Sequence, residues 1–211
     1  MSALPYPFVT PEQYLAFEEH APIKHEYVEG RVYAMTGGNV QHNRIIQNFA
    51  RELGVALRSR SCDVFTQDMR VLVGPRTAYF YPDVVGLCGP PDVERIRGMD
   101  TLRNPAFVVE VLSDSTERAD RGRKAVRYQR IPTLREYVLV AQDRVHAELY
   151  TPPADGVGAW PRRDLDGPDA VLEFASVGVA LRLGDLYDRV EFPPHPPRPR
   201  RVRERPPGDA R

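Results

Sequence analysis

Lysine is nearly missing from this chain: of 29 lysine and arginine residues, only Lys24 and Lys124 are lysine. Cysteine is as scarce. Cys62 and Cys88 are too few for a zinc cluster, are uninformative as a disulfide pair, and agree with a reducing compartment. No apolar run approaches the length needed to span a bilayer, and Met1-Ser2-Ala3-Leu4-Pro5 lacks the basic and apolar regions of a secretory leader. These absences predict a cytoplasmic protein with no membrane partner. There is no internal repeat, no nucleotide-binding glycine loop and no nucleophile elbow, so the commonest ATPase, dinucleotide-dependent and serine-hydrolase readings drop out.

What is present suffices for one core. At 211 residues and 42% hydrophobic composition the chain is long enough for one well-buried domain and too short to need two. Net charge is zero, but from Pro193 onward six arginines stand against Glu204 and Asp209, a net of +4, which leaves −4 for residues 1–192. The expected organisation is a domain over 1–192 and a disordered Pro/Arg-rich tail over 193–211, because the tail has almost nothing apolar to bury.

Ala106-Phe107-Val108-Val109-Glu110-Val111-Leu112 is patterned as a strand buried on both faces, with one carboxylate in its middle. A buried ionised group without a partner costs several kcal/mol, so Glu110 demands a cation. A divalent metal shared with Asp83, at the entry of the strand-like Tyr81-Pro82-Asp83-Val84-Val85-Gly86-Leu87, would meet that demand. So would a basic side chain. After Ser113-Asp114-Ser115-Thr116 a helix should carry Thr116, Asp120, Lys124 and Tyr128 on one face and pack back on the sheet. A lysine kept in so arginine-biased a chain argues that a compact ammonium is needed there. Against these stand a strand-end Asp83 bonding local backbone, and a Glu110 salt bridge to any of many arginines.

These residues resemble the PD-(D/E)xK nucleases, the restriction-endonuclease-like superfamily, and their setting resembles its Uma-two family. The likeness runs through His25-Glu26-Tyr27-Val28-Glu29-Gly30, Gln41-His42, Gln67-Asp68-Met69-Arg70-Val71, Pro82-Asp83, Val109-Glu110-Val111-Leu112-Ser113, the Thr116 to Tyr128 series and Leu134-Arg135-Glu136-Tyr137. Leu112 stands where the superfamily motif has its lysine, which points to Lys124 on the following helix instead. Asp114 stands where the family usually has proline. The resemblance implies an α/β fold with a mixed β-sheet flanked by helices, and a site of Glu26, Asp83, Glu110 and Lys124. It also implies Mg²⁺ (or Mn²⁺) on Asp83, Glu110 and the Val111 carbonyl, a DNA substrate, and a homodimer as in nucleases that cut two strands.

Along the rest of the chain, Thr10-Pro11-Glu12-Gln13 starts a short helix, and Glu29-Gly30 turns a hairpin that begins at Glu26. Residues 40–58 make a long amphipathic helix with His42 in its first turn, a candidate for the rim of the site. Cys62 to Thr66 and Asp68 to Val73 are predicted strands, with Asp68 placed to help shape the acidic pocket. Residues 88–105, rich in Pro, Gly, Arg and Asp, are predicted to form a flexible rim over the site. Strands follow at Glu136 to Val140, His146 to Tyr150 and Val171 to Phe174. Arg118, Arg121, Arg123, Arg127 and Arg130 on the Lys124 helix could face phosphates, or simply cover a solvated surface. Two other functional classes stay open: a catalytically inactive nucleic-acid or protein-binding module on the same fold, and a hydrolase of another phosphoester.

Overall fold

The structure, a computed structural model, describes residues 8–192, so the 193–211 tail lies outside the described residues. Helix α1 (Pro11–Glu18) opens with a capping box: Thr10 Oγ1 accepts from the Gln13 amide and Gln13 Oε1 from the Thr10 amide. Strands β1 (His25–Val28) and β2 (Arg31–Ala34) form the expected hairpin, with Glu29 and Gly30 both at positive φ. Helix α2 (Val40–Leu57) follows, capped by Asn39, and buries Ile45, Ile46, Phe49, Leu53 and Leu57. Then come β3 (Cys62–Thr66), β4 (Arg70–Val73), β5 (Ala78–Phe80), β6 (Val84–Cys88), β7 (Val93–Ile96), β8 (Met99–Leu102) and β9 (Phe107–Val111). The helix after β9 has three pieces: α3 (Glu117–Ala119), a π turn (Asp120–Lys124) and α4 (Ala125–Tyr128). The described residues end in β10 (Glu136–Val140), β11 (His146–Tyr150), β12 (Arg162–Asp166), β13 (Val171–Phe174), β14 (Val179–Arg182) and α5 (Leu183–Leu186).

The strands divide between two six-stranded mixed sheets, β2-β1-β5-β4-β8-β7 and β12-β11-β10-β9-β6-β3, beside a β13-β14 ribbon. In the second sheet β9 is central, parallel to β10 and antiparallel to β6. Its alternation sorts two cores. Val109 and Val111 pack with Val138, Val140 and the α2 residues Ile45, Phe49 and Leu53. Val108 and Leu112 pack on the opposite face with Tyr137, Leu139 and Tyr128, and with Val71 and Phe80 of the first sheet. Glu110, in phase with Val108, therefore points into the space between the sheets beneath the π turn.

Three expectations are corrected. Residues 88–105 are not a flexible rim: β7 and β8 make an antiparallel hairpin turning at Arg97-Gly98, both at positive φ, and add two strands to the first sheet. Its composition hid strands that are only partly buried and so lack a clean alternation. Cys62 and Cys88 are register partners on β3 and β6 and are joined as a disulfide, a pairing that two isolated cysteines could not reveal. Asp68 does not shape the acidic pocket, because its exposed carboxylate pairs with Lys24. Among the described residues no helix is long and apolar enough to cross a membrane. We propose that residues 1–192 fold without the tail. A chain ending at Phe192 should melt cooperatively within a few degrees of the full-length protein by calorimetry, since the tail has no apolar face to bury; a large drop would mean that the tail docks on the core.

Candidate active site

The carboxyl end of β9 is where the α2 layer and the π-turn layer meet, and the side chains converging there open onto a cleft of ≈ 280 Å³. Lys124 is 3% exposed, and its Nζ lies 2.7 Å from Glu110 Oε1, 3.0 Å from Glu26 Oε1 and 3.1 Å from Asp120 Oδ1. The three protons of the ammonium thus meet three carboxylates drawn from β1, β9 and the π turn. A wide π turn inside a helix is often found at functional sites, and this one carries both Asp120 and Lys124. Tyr128, one turn on, donates its hydroxyl to Glu110 Oε1 at 3.1 Å, and Tyr137 donates to the Asp120 carbonyl at 2.9 Å.

Asp83 comes from the segment entering β6. Val84 pairs with Val109 in antiparallel register, which sets Asp83 beside Glu110. Asp83 Oδ2 accepts the Val111 amide at 2.8 Å, and Gln67 Nε2 reaches Oδ1 at 3.4 Å. The His42 Nε2 lies 3.3 Å from the same Oδ2. Behind these groups, buried Glu18 ties two strands together: Oε1 accepts the His25 amide at 2.9 Å and the Tyr81 hydroxyl at 3.2 Å, and Oε2 lies 3.0 Å from His25 Nδ1. Glu26 follows His25 directly, and Asp83 lies two residues after Tyr81.

Charge is unbalanced in this cleft. Glu26, Asp83, Glu110 and Asp120 are four buried carboxylates, facing one ammonium and one imidazole. Burial pushes the Glu110 carboxyl well above its usual range, and the nearby Asp120, Asp83 and Glu26 add to the rise against the pull of Lys124. Burial likewise raises Glu26, opposed by Lys124. Burial alone would lower Lys124, but Asp120, Glu110 and Glu26 outweigh it and hold its pKa well above the ordinary value. Burial also acts to lower His42, and the Asp83 carboxylate reverses that to a net rise. Glu26 Oε2 is buried with no hydrogen-bond partner in the protein, while Glu26 Oε1 and Asp120 Oδ1 face only the Lys124 ammonium. A buried carboxylate oxygen left unpartnered in a cleft with excess negative charge is chemistry that suits a divalent cation among hard oxygen donors.

All four sequence-predicted catalytic residues, Glu26, Asp83, Glu110 and Lys124, line this cleft. The arginines beside Lys124 do not. Arg121 pairs with Glu117 and Glu148, Arg123 stacks 3.9 Å over the Tyr33 ring and Arg127 bonds Glu29 at 2.8 Å. Sequence reasoning passed over Asp120 as a site acid, although its spacing from Lys124 was visible. A second group, His146, Glu148 and Asp164, brings potential ligand atoms within 4.8 Å on β11 and β12. There Arg121 and Arg162 already answer Glu148, and Arg162 Nη2 lies 3.1 Å from Asp164 Oδ2, so the group is an ion-pair network on the sheet surface.

The α/β fold with mixed sheets has a counterpart among solved structures. The crystal structure described as a putative nuclease belonging to DUF820 from Anabaena variabilis superposes with a TM-score of 0.66, at 18% identity, over 85% of this chain and 98% of that one. The sequence pattern of the Uma2 family, described as "Putative restriction endonuclease", matches residues 11–183, and the chain belongs to that family. Two uncharacterized proteins of Synechocystis sp. are similar over nearly their whole length. One, slr1290, is 34% identical over 188 residues, which is 89% of this chain and 96% of its own. The other, sll1609, is 33% identical over 171 residues, 81% of this chain and 95% of its own.

Proposed function

We propose that this protein is a divalent-cation-dependent endonuclease that hydrolyses phosphodiester bonds in DNA. The observation that carries the reading is the cluster itself: a single buried ammonium held within 3.1 Å of three carboxylates, with Asp83 close by at the entry of β6 and Glu26 Oε2 left without a partner. A structural ion pair needs one acid for each base. The surplus of acids suits the binding of a cation.

Asp83 and Glu110 would hold that cation with the Val111 carbonyl, and the Val111 amide fixes the Asp83 carboxylate in place. When bound, a divalent ion supplies Lewis-acid polarisation of the scissile phosphate and acidifies a water. Lys124 would position the attacking water or neutralise charge developing on the phosphate, and Glu26 and Asp120 orient the Lys124 ammonium. The Tyr128 hydroxyl steadies Glu110. The small polar residues Gly37, Gly38, Ser113 and Ser115 on the rim leave room for a backbone to approach.

The test is cleavage of supercoiled and single-stranded DNA with Mg²⁺ or Mn²⁺, with chelator controls and the Asp83→Ala variant in parallel. Chelated enzyme and Asp83→Ala should both leave the DNA intact, and light scattering on the same samples reports whether the active species is a homodimer. An inert binding module on this fold would instead bind no divalent ion, and calorimetric titration separates the two readings.

A further inference from the structure

His42 has no task in the mechanism above, yet it stands within reach of it. It sits in the first turn of α2, where Asn39 Oδ1 caps the His42 amide at 2.9 Å and the side chain is turned into the cleft. The residue is 8% exposed. Its Nε2 lies 3.3 Å from Asp83 Oδ2 and the ring also faces the Val111 carbonyl, two of the three oxygens assigned to the cation.

Asp83 does not need the histidine to be held in place, since the Val111 amide and Gln67 already engage its two oxygens. The 3.3 Å approach is also longer than the about 2.7–2.9 Å usual for a charge-assisted bond. With the proton on Nδ1 the Nε2 lone pair is aimed at the carboxylate, which is repulsive unless a cation lies between them, whereas with the proton on Nε2 the ring donates to Asp83 and Nδ1 is left without a donor. The other ring nitrogen does not explain the placement either, because Nδ1 is buried without a hydrogen-bond partner. Packing against the Gly38 backbone aims the ring: a methyl group at Gly38 would lie 2.5 Å from Nδ1.

We propose that His42 is a nitrogen ligand of the cation site, and that its imidazole makes the site prefer first-row transition divalent ions to Mg²⁺. Imidazole is a common ligand for such ions, whereas Mg²⁺ favours oxygen donors and holds its waters. The inference rests on the cation site of the proposed function, not on its DNA substrate.

The full chain, titrated calorimetrically with Mg²⁺, Mn²⁺ and Co²⁺, tests it alongside His42→Gln and Gly38→Ala. Gly38→Ala displaces the ring without deleting it, which keeps the test usable if His42→Gln folds poorly. Both variants should lose about tenfold or more in Mn²⁺ and Co²⁺ affinity, on the scale of a lost metal-site group, while Mg²⁺ affinity changes little. Pulsed electron paramagnetic resonance of the Mn²⁺-loaded protein should show nitrogen coupling that His42→Gln abolishes. Wild type without nitrogen coupling, or variants that weaken all three ions equally, would overturn the ligand role and leave His42 as a support for Asp83. A wild type that binds none of the ions overturns both this inference and the metal-dependent function. Nitrogen-coupled Mn²⁺ in a protein that leaves DNA intact upholds the ligand role and removes only the nuclease reading.

Discussion

Lys124→Arg should lose about 10² or more in cleavage rate, the usual scale for a positioned acid–base group, while keeping its fold. The substitution preserves the charge and follows the chain's own preference for arginine. If Lys124 were only a counter-charge, it should be nearly silent. Three carboxylate oxygens surround Nζ at 2.7–3.1 Å, and Lys124 is 3% exposed. Three oxygens about one nitrogen match the three protons of an ammonium, and a planar guanidinium is too wide to take the same place. Asp83 and Glu110 remain, so divalent affinity should survive, and cleavage kinetics, ion titration and a thermal melt on one preparation separate the effects. Full cleavage by Lys124→Arg would refute the need for a compact ammonium at this place. A collapsed melt would show that the cluster holds the fold instead.

Lys124 was readable before any coordinates because of its rarity, and Glu110 because a carboxylate interrupts an apolar run that is buried throughout. The Glu29-Gly30 turn and the α2 stripe were equally visible, since local backbone demands and helical periodicity survive in any context. Asp120 was harder. An acid four residues before a lysine is the signature of an ordinary surface pair, and only the packing of the π turn against β9 makes it buried. His42 depended on tertiary packing too, because Gly38 aims its ring and nothing in the pattern Gln41-His42 shows which way the first turn of α2 faces. Arg70 illustrates the same limit from the other side: it stands in a strand at 1% exposure, over the Tyr79 ring and bonded to Thr101 Oγ1 at 2.9 Å, although the apolar residues of the Asp68 to Val73 segment, Met69, Val71 and Val73, alternate with it. The division of the strands into two sheets was hidden because β7 and β8 are polar, partly exposed and separated from the rest by prolines.

Saturating Mn²⁺ or Mg²⁺ should raise the melting temperature over chelated protein, and the gain should grow with pH. An ion present at about 100 times its Kd and bound only to the folded state contributes about 2.7 kcal/mol, which is roughly 5–10 °C for a chain of this size. The pH dependence follows from the buried acids. Glu26 and Glu110 have folded pKa values raised above 4.5. The folded protein therefore binds their protons more tightly than the unfolded chain does. Their stabilising contribution is complete below about 4.5 and is lost as pH rises through the folded values. Lys124 is raised above 10.5, so its contribution persists below that value and is lost only at still higher pH, outside the working range. Without a cation, then, the cluster weakens the fold as pH climbs above about 4.5. With one, the ionised carboxylates are what the cation needs. Fluorescence melts at pH 5.5 and 8.0, with chelator and with ion, should show the larger increment at pH 8.0, and Asp83→Ala should abolish most of it. An increment independent of pH, or one that survives Asp83→Ala undiminished, would place the bound ion elsewhere on the protein and leave the acid cluster as a purely structural ion pair.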